Sequence, residues 1–324
     1  MRTGFRQWLA LPGLLACSLV FPGGLLAQTP EGNSPDPVSW LKKMQEALQH
    51  QNYDGIFTYM RGSTFDTVRI VHVADDGAET ERLFNLNGEV RELYREDNEV
   101  HCFHPESQGD LDEIADHSVH IGPFSPVFTQ RVLAARDLYN LSMHGEDRIA
   151  GRSAVKLSVS PRYNDRYGYR LWLDEETGLL LQSHLIDRGT VREVFQFTSL
   201  ELGDEVSAAD LETRIAGATQ SHQLALEGND ATEQPVVRVK WLPDGFRPVR
   251  AQGNRLHFSD GLANFSVFVE KPDAAALPEM TTTVGGTVVI TRRVTKTGPQ
   301  VTVVGEVPIQ TARRVADSVE PVIY

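Results

Sequence analysis

Four histidines fall within twenty residues, as His101-x-x-His104 and His117-x-x-His120, with Cys102 beside the first pair and Asp110, Asp112, Glu113 and Asp116 between them. Imidazoles, a thiolate and carboxylates in such a run could chelate zinc or copper if the intervening segment folds back on itself. Strand geometry opposes that reading. Val100 to Phe103 reads as a strand, and three residues is an odd step. His101 and His104 then point to opposite faces and cannot share an ion without a bulge or a strand end between them. No metal site is expected, and Cys102 reads as a buried thiol rather than a redox sensor or an intermolecular bridge.

Other catalytic signatures are missing from the sequence. It contains no Gly-x-Ser-x-Gly elbow, no His-Glu-x-x-His helix, no phosphate loop and no Gly-x-Gly-x-x-Gly turn. Acidic residues are scattered over hairpin loops such as Asp174 to Glu176, the pattern of solvated surface rather than of a glycosidase carboxylate pair. No enzymatic activity and no cofactor are expected.

Aromatic side chains carry more information. The segments around Phe57, Tyr59, Phe65, Tyr167, Tyr169, Trp172, Phe195 and Phe197 place apolar residues on both faces in several places, where a sheet with one wet face alternates strictly. A curved sheet with an apolar concave side can hold a lipid-sized cavity. Phe57, Tyr59, Tyr169, Trp172, Phe195 and Phe197 are the candidate lipid-binding residues, although about half of the aromatics must simply pack against a covering helix.

The elements that would position them follow from periodicity. Asp36 can cap a helix entered through Pro37, with Leu41, Met44 and Leu48 at helical spacing. Strand-like segments follow at Ile56–Met60, Phe65–Val73, Glu81–Leu86, Val90–Arg95 and Val100–Phe103, joined by turn signals such as Asn87-Gly88. The pattern lapses over residues 106 to 136. It resumes at Leu138–Met143, Ala154–Ser160, Tyr167–Leu173, Leu179–Ile186 and Val191–Leu200. About ten short antiparallel strands cannot lie flat, so residues 28–200 are expected to curl into a barrel or half-barrel, with the helix covering an otherwise open side. Residues 201–235, with eight acids against one base, read as an acidic linker. Residues 236–324 read as a small α+β domain whose C-terminal helix carries Ile309, Ala312, Ala316 and Val319 on one face. The fold class is therefore α+β, a large antiparallel barrel or half-barrel plus a smaller domain.

Composition agrees. A chain of 324 residues, 40% apolar, fits about two domains. The 44 acids against 31 bases, a net charge of −13, argue against nucleic acid as a partner. Residues 1–27 resemble a signal peptide, with Arg2 and Arg6 before an interrupted apolar run, so the chain is expected to be exported. A weaker rival is a lipoprotein box ending at Cys17. By region, residues 28–200 carry −11, the linker −7 and residues 236–324 +3. The small domain is thus the expected docking side for acidic partner segments or anionic head groups, through Arg292, Arg293, Arg313 and Arg314.

A set of stretches in order along nearly the whole mature chain resembles the RseB/MucB family of periplasmic sigma-factor regulators. They include Ser39-Trp40-Leu41 leading to Tyr53-Asp54-Gly55-Ile56-Phe57-Thr58-Tyr59, Arg166-Tyr167-Gly168-Tyr169 before Leu171-Trp172-Leu173, and Phe195-Gln196-Phe197-Thr198. Trp241-Leu242-Pro243-Asp244-Gly245-Phe246, Leu256 to Leu262 into Phe265 to Phe268, and Val301 to Pro308 continue it. Residues 105 to 130 do not match. The resemblance implies a first domain similar to the lipoprotein carriers LolA and LolB. It also implies binding to the periplasmic segment of a single-span anti-sigma factor of RseA or MucA type, protection of that segment from the site-1 protease, and release by lipid or lipopolysaccharide. The rival class is a lipid or lipoprotein carrier, which needs only the first domain. A homo-oligomer through a sheet edge is also open.

Overall fold

The structure, a computed structural model, describes residues 36–322 except 76, 89, 97–98, 106–121, 216–218, 224–236, 253, 271–277 and 296–297. The expected signal peptide and the second histidine pair, His117 and His120, lie outside the described residues.

Helix α1 spans Pro37–His50, and its entry is fixed as expected. The Asp36 carboxylate accepts from the Val38 and Ser39 amides at 3.2 and 3.1 Å, and Pro37 takes a first-turn position where no donor is needed. Leu41, Met44, Ala47 and Leu48 form its buried stripe. Asp36→Ala is expected to cost about 1 kcal/mol, read as a lower denaturant midpoint at unchanged slope; an unshifted midpoint would show the cap to be idle.

Strands β1 (Tyr53–Arg61), β2 (Thr64–Asp75), β3 (Ala78–Asn85), β4 (Glu92–Glu96) and β5 (Glu99–Pro105) run as a meander. Helix α2 (Pro126–Ala134) follows, then a second meander of β6 (Tyr139–Ile149), β7 (Arg152–Pro161), β8 (Gly168–Asp174), β9 (Leu180–Asp187) and β10 (Thr190–Leu202). Strand β10 returns to pair with β1, fusing the two meanders. With β11 (Thr219–Gln223), the sheet has eleven strands in the order β11-β5-β4-β3-β2-β1-β10-β9-β8-β7-β6, antiparallel throughout. Its end strands β11 and β6 are not neighbours, so the sheet is unclosed.

Two parts of this body differ from the sequence reading. Residues 126–134, assigned to a patternless stretch, form α2, a helix of nine residues whose few turns give too short a periodic signal to stand out. Its Thr129 hydroxyl donates to the Leu41 carbonyl at 2.8 Å and ties α2 to α1. The expected linker also begins inside the large sheet. Val206 packs with Val71, Val73 and Phe84, and residues Ala208–Leu211 form a 3-10 turn. The Thr213 hydroxyl and the Arg214 amide both donate to Glu92 at 2.8 Å, and β11 pairs with β5. β11 is a polar five-residue strand, Thr-Gln-Ser-His-Gln, and carries no alternation to detect.

The smaller sheet contains β13 (Arg247–Gln252), β14 (Arg255–Ser259), β15 (Asn264–Val269), β16 (Met280–Val284), β17 (Thr287–Arg293) and β18 (Gln300–Gly305), ordered β13-β14-β15-β18-β17-β16. Beside it β12 (Val237–Val239) pairs with β19 (Val319–Pro321), and helix α3 (Ile309–Asp317) packs Ala312, Val315 and Ala316 into a core with Phe265, Val267, Ile290 and Val303. At Gly305 a Cβ would stand 2.3 Å from the Phe265 Cβ and 2.6 Å from the Asn264 carbonyl oxygen, so β15 and β18 approach more closely than any side chain allows. An α+β chain with a large unclosed antiparallel sheet and a smaller second sheet is the architecture expected.

Candidate functional site

Strands β1 and β10 pair antiparallel with a bulge at Ile56-Phe57. The odd-numbered residues of β1 and, up to the bulge, of β10 turn to the face that the helices cover, and beyond it Leu200 and Leu202 take that side. The period-2 rule therefore brings Tyr53, Phe57 and Tyr59 from one strand against Phe195 and Phe197 from the other. Phe57 and Phe195 lie 4.9 Å apart between ring centroids, and Phe195 and Phe197 meet edge to face at 5.2 Å. Gly55 leaves room for this: a Cβ there would fall 2.5 Å from the Phe197 ring.

A residue that the sequence did not single out completes the cluster. Phe124, half-buried just before α2, reaches Phe195 at 4.9 Å, Phe197 at 5.7 Å, Tyr53 at 6.0 Å and Phe57 at 6.5 Å. Tyr169 on β8 joins the same core and meets Phe128 of α2 edge to face at 5.0 Å. Phe124 was missed because it sits between Pro123 and Pro126 in a stretch without periodicity.

Among the described residues these rings pack against one another and against both helices on the covered face. Beside Tyr59, Tyr169 and Phe195 lies a space of about 20 Å³, room for about one water molecule.

Trp172 does not join them. It is an even-numbered neighbour of Leu171 and Leu173 on β8 and faces the other side, in a small cluster with Ala154 and Leu181. Its indole N–H donates to Asp147 at 3.0 Å, the Lys156 ammonium lies over its ring, and His184 packs at 4.6 Å. Asp174 also departs from the expectation of solvated surface. Glu175 and Glu176 are exposed, but Asp174 is buried, ion-paired to Arg152 at 2.6 Å and bonded to the Thr177 amide at 2.8 Å.

The four arginines of the smaller body have different surroundings. Arg292 is paired with Asp317 of α3, and the Arg293 amide donates to Glu279 at 3.0 Å. Arg313 and Arg314 are exposed on α3, with Arg314 stacked over Trp241 at 4.0 Å. His101 is half-buried near the rings of Tyr94 and Phe103, whereas His104 is fully buried. Among the described residues no three His, Cys, Asp or Glu side chains are grouped to hold a metal ion. Burial raises the Cys102 thiol above its ordinary pKa, which keeps it protonated.

The two sheets meet through buried polar contacts. Arg166, with 0% of its side chain exposed, donates to Asp165, to Asp260 in the β14–β15 turn and to the Asp244 carbonyl. Asp260 also accepts from the Leu262 and Ala263 amides at 2.8 and 2.7 Å. The Tyr167 hydroxyl donates to the Val307 carbonyl at 2.9 Å, and the Thr311 hydroxyl to the Asp165 carbonyl at 2.8 Å. On the same side Glu193 of β10 accepts from the Tyr59 hydroxyl and, at 2.7 Å, from the Gly286 amide in the β16–β17 turn. Arg166 falls within a recognised stretch, but nothing in the sequence marks its partner 94 residues away.

An unclosed antiparallel sheet with an aromatic interior, joined to a second sheet by a buried ion pair and hydrogen bonds, defines a two-body scaffold. The chain belongs to the MucB/RseB family: residues 36–215 match the model of the MucB/RseB N-terminal domain, and residues 231–320 that of the MucB/RseB C-terminal domain. Similar relatives include the sigma factor AlgU regulatory protein MucB of Pseudomonas aeruginosa, 37% identical over 94% of this chain and 97% of that protein. The sigma-E factor regulatory protein RseB of Haemophilus influenzae is 29% identical over 86% of this chain and 90% of its own length. A solved structure described as the Pseudomonas aeruginosa MucA/MucB complex contains a chain that is 36% identical with a TM-score of 0.69, covering 89% of this chain and 100% of that one. A second, of MucB with MucA(peri), gives 35% and 0.68. The likeness runs through both sheets, and the family is one of sigma-factor regulatory proteins.

Proposed function

We propose that this chain is a non-enzymatic periplasmic negative regulator of an envelope-stress sigma factor. It binds the periplasmic part of a single-span anti-sigma factor of the MucA/RseA type, shields it from site-1 proteolysis, and lets go when a lipid or lipopolysaccharide binds. The observation that carries this reading is the likeness over both sheets to a protein solved in complex with MucA. The buried joint of the second sheet supports a regulator over a simple lipid carrier, which has no use for that body.

The lipid site of this reading is the interior around Phe57, Tyr59, Tyr169, Phe195 and Phe197, without Trp172. An acyl chain enters by displacing Phe124, whose ring is half-buried where Phe57, Phe195 and Phe197 are buried. The anti-sigma segment meets the exposed Arg313 and Arg314 side of the smaller body. Because lipid and partner select different states, each lowers the affinity of the other by the same factor.

Fluorescence anisotropy of a labelled periplasmic fragment of a MucA-type protein tests this. Saturating lipid A in detergent is expected to weaken binding tenfold or more, with detergent alone as control. Unchanged affinity in lipid removes the release mechanism, and no binding of the fragment at all removes the partner.

A further inference from the structure

The Glu193 contact to the β16–β17 turn has a second carboxylate beside it. Glu306, directly after β18, lines the same 20 Å³ cavity as Glu193, Tyr59 and Tyr169. Two acids thus face each other where the sheets meet. We propose that Glu306 is a proton-operated latch: its neutral form lets the Gly285-Gly286 turn and the Glu306-Val307 segment seat against β10, and its ionisation loosens that end of the joint.

The division of charge between the two acids follows from their partners. Glu193 accepts an O–H from Tyr59 and an N–H from Gly286. Glu306 is half-buried, with the Glu193 carboxylate as its neighbour. The groups facing it are Glu193 on β10, Arg61 and Tyr59 on β1, Arg131 on α2, and Tyr167 and Tyr169 around β8. Burial first and the Glu193 charge second push its pKa up to about 7, against the pull of Arg61 and Arg131. The tyrosines stay neutral through this range, since burial raises each of them.

The turn lies close against side chains of β1, β9 and β10. Gly285 adopts φ +59°, and a Cβ on it would stand 2.3 Å from Arg61 Cγ and 2.4 Å from Glu193 Oε1; on Gly286 it would stand 2.2 Å from Leu185 Cδ2. A raised pKa on an acid means that the seated joint binds the proton more tightly than the loosened one. Its contribution is complete below the ordinary carboxyl value near 4.5 and is lost as pH rises to about 7. The span between those values bounds the effect at about 300-fold in the local opening equilibrium, tenfold per pKa unit. At the other end of the joint Arg166 keeps its charge across this range, so the change is a local loosening.

Hydrogen exchange on the full chain, corrected for the intrinsic pH dependence of exchange, reads this directly. Peptides covering 283–288 and 304–308 are expected to lose protection by tenfold or more between pH 5 and pH 7.5, and peptides covering 260–263 to keep theirs. Glu306→Gln is expected to hold the acid-pH protection at both values, and Gly286→Ala to lose it at both. A pH response in Glu306→Gln equal to that of the wild type overturns the proposal, as does a flat wild-type profile. If Glu306→Gln does not fold, carboxyl-carbon NMR of the wild type decides. A glutamate titrating near pH 7 in step with the exchange change supports the latch, and no glutamate titrating above pH 6 overturns it.

Discussion

Arg166→Ala is expected to lower the stability of the protein by about 3–5 kcal/mol. Its guanidinium is wholly buried and holds three oxygens on both bodies, those of Asp165, Asp260 and the Asp244 carbonyl. Removing it leaves the fully buried Asp260 carboxylate with two amides and a long contact to the Tyr139 hydroxyl, but without a countercharge. The cost comes from that stranded charge more than from the lost attraction, because a buried ion pair as a whole contributes little over an apolar replacement. Arg166→Lys keeps the charge and loses the planar fork that reaches three acceptors, so it should recover only part of the loss. Urea unfolding at neutral pH measures both. A change below 1 kcal/mol for Arg166→Ala would mean that water or another cation replaces it, and that the joint is weaker than its geometry indicates.

Phe195→Ala should be nearly as damaging, by about 3–5 kcal/mol, the range for deleting a large buried aromatic side chain. Phe195 is 1% exposed and contacts Phe57, Phe124 and Phe197. Truncation removes the ring's burial and also the offset contacts of three neighbours, and β1 and β10 are too tightly paired to collapse into the space. Phe195→Leu, which retains most of the volume, should lose much less. The same void offers a second readout, since a dry apolar cavity binds small apolar molecules. Thermal unfolding with and without benzene should show a benzene-dependent rise in midpoint for Phe195→Ala only. Equal midpoints for Phe195→Ala and wild type would show that the interior repacks around the loss.

Within this frame Phe124 is distinctive. It contacts four aromatic rings yet remains half-buried at the end of a segment with two flanking prolines. A ring placed this way closes the interior at lower energetic cost of removal than Phe57 or Phe195, whose burial is complete. The proposed lipid reading depends on that difference.

Much of this architecture is legible in local patterns. Asp36 before Pro37 specifies a helix start, because a carboxylate there finds amides without partners in any context. Alternation at Phe57, Tyr59, Phe195 and Phe197 specifies strands and a shared apolar side, because side chains in a strand alternate whatever the strand packs against. The hairpin at Asp174 to Gly178 is equally local: the Gly178 amide returns to the Asp174 carbonyl at 2.8 Å.

Contacts between distant segments are different. Sequence determined most strands of the two large meanders, the presence of a second body and the family; the short or polar β11, β13, β16 and β19 were not marked by it. Tertiary structure decided that Trp172 faces away from the aromatic interior, that Phe124 fills it, that Asp174 is buried, and that α2 and β11 exist where no periodicity announced them. It also decided that Arg166 meets Asp260 and that Glu306 meets Glu193. The physical reason is common to all of these. Periodicity reports which side of an element is apolar, but burial, desolvation and ion pairing depend on what the other side of the contact supplies, and that partner comes from a segment many residues away.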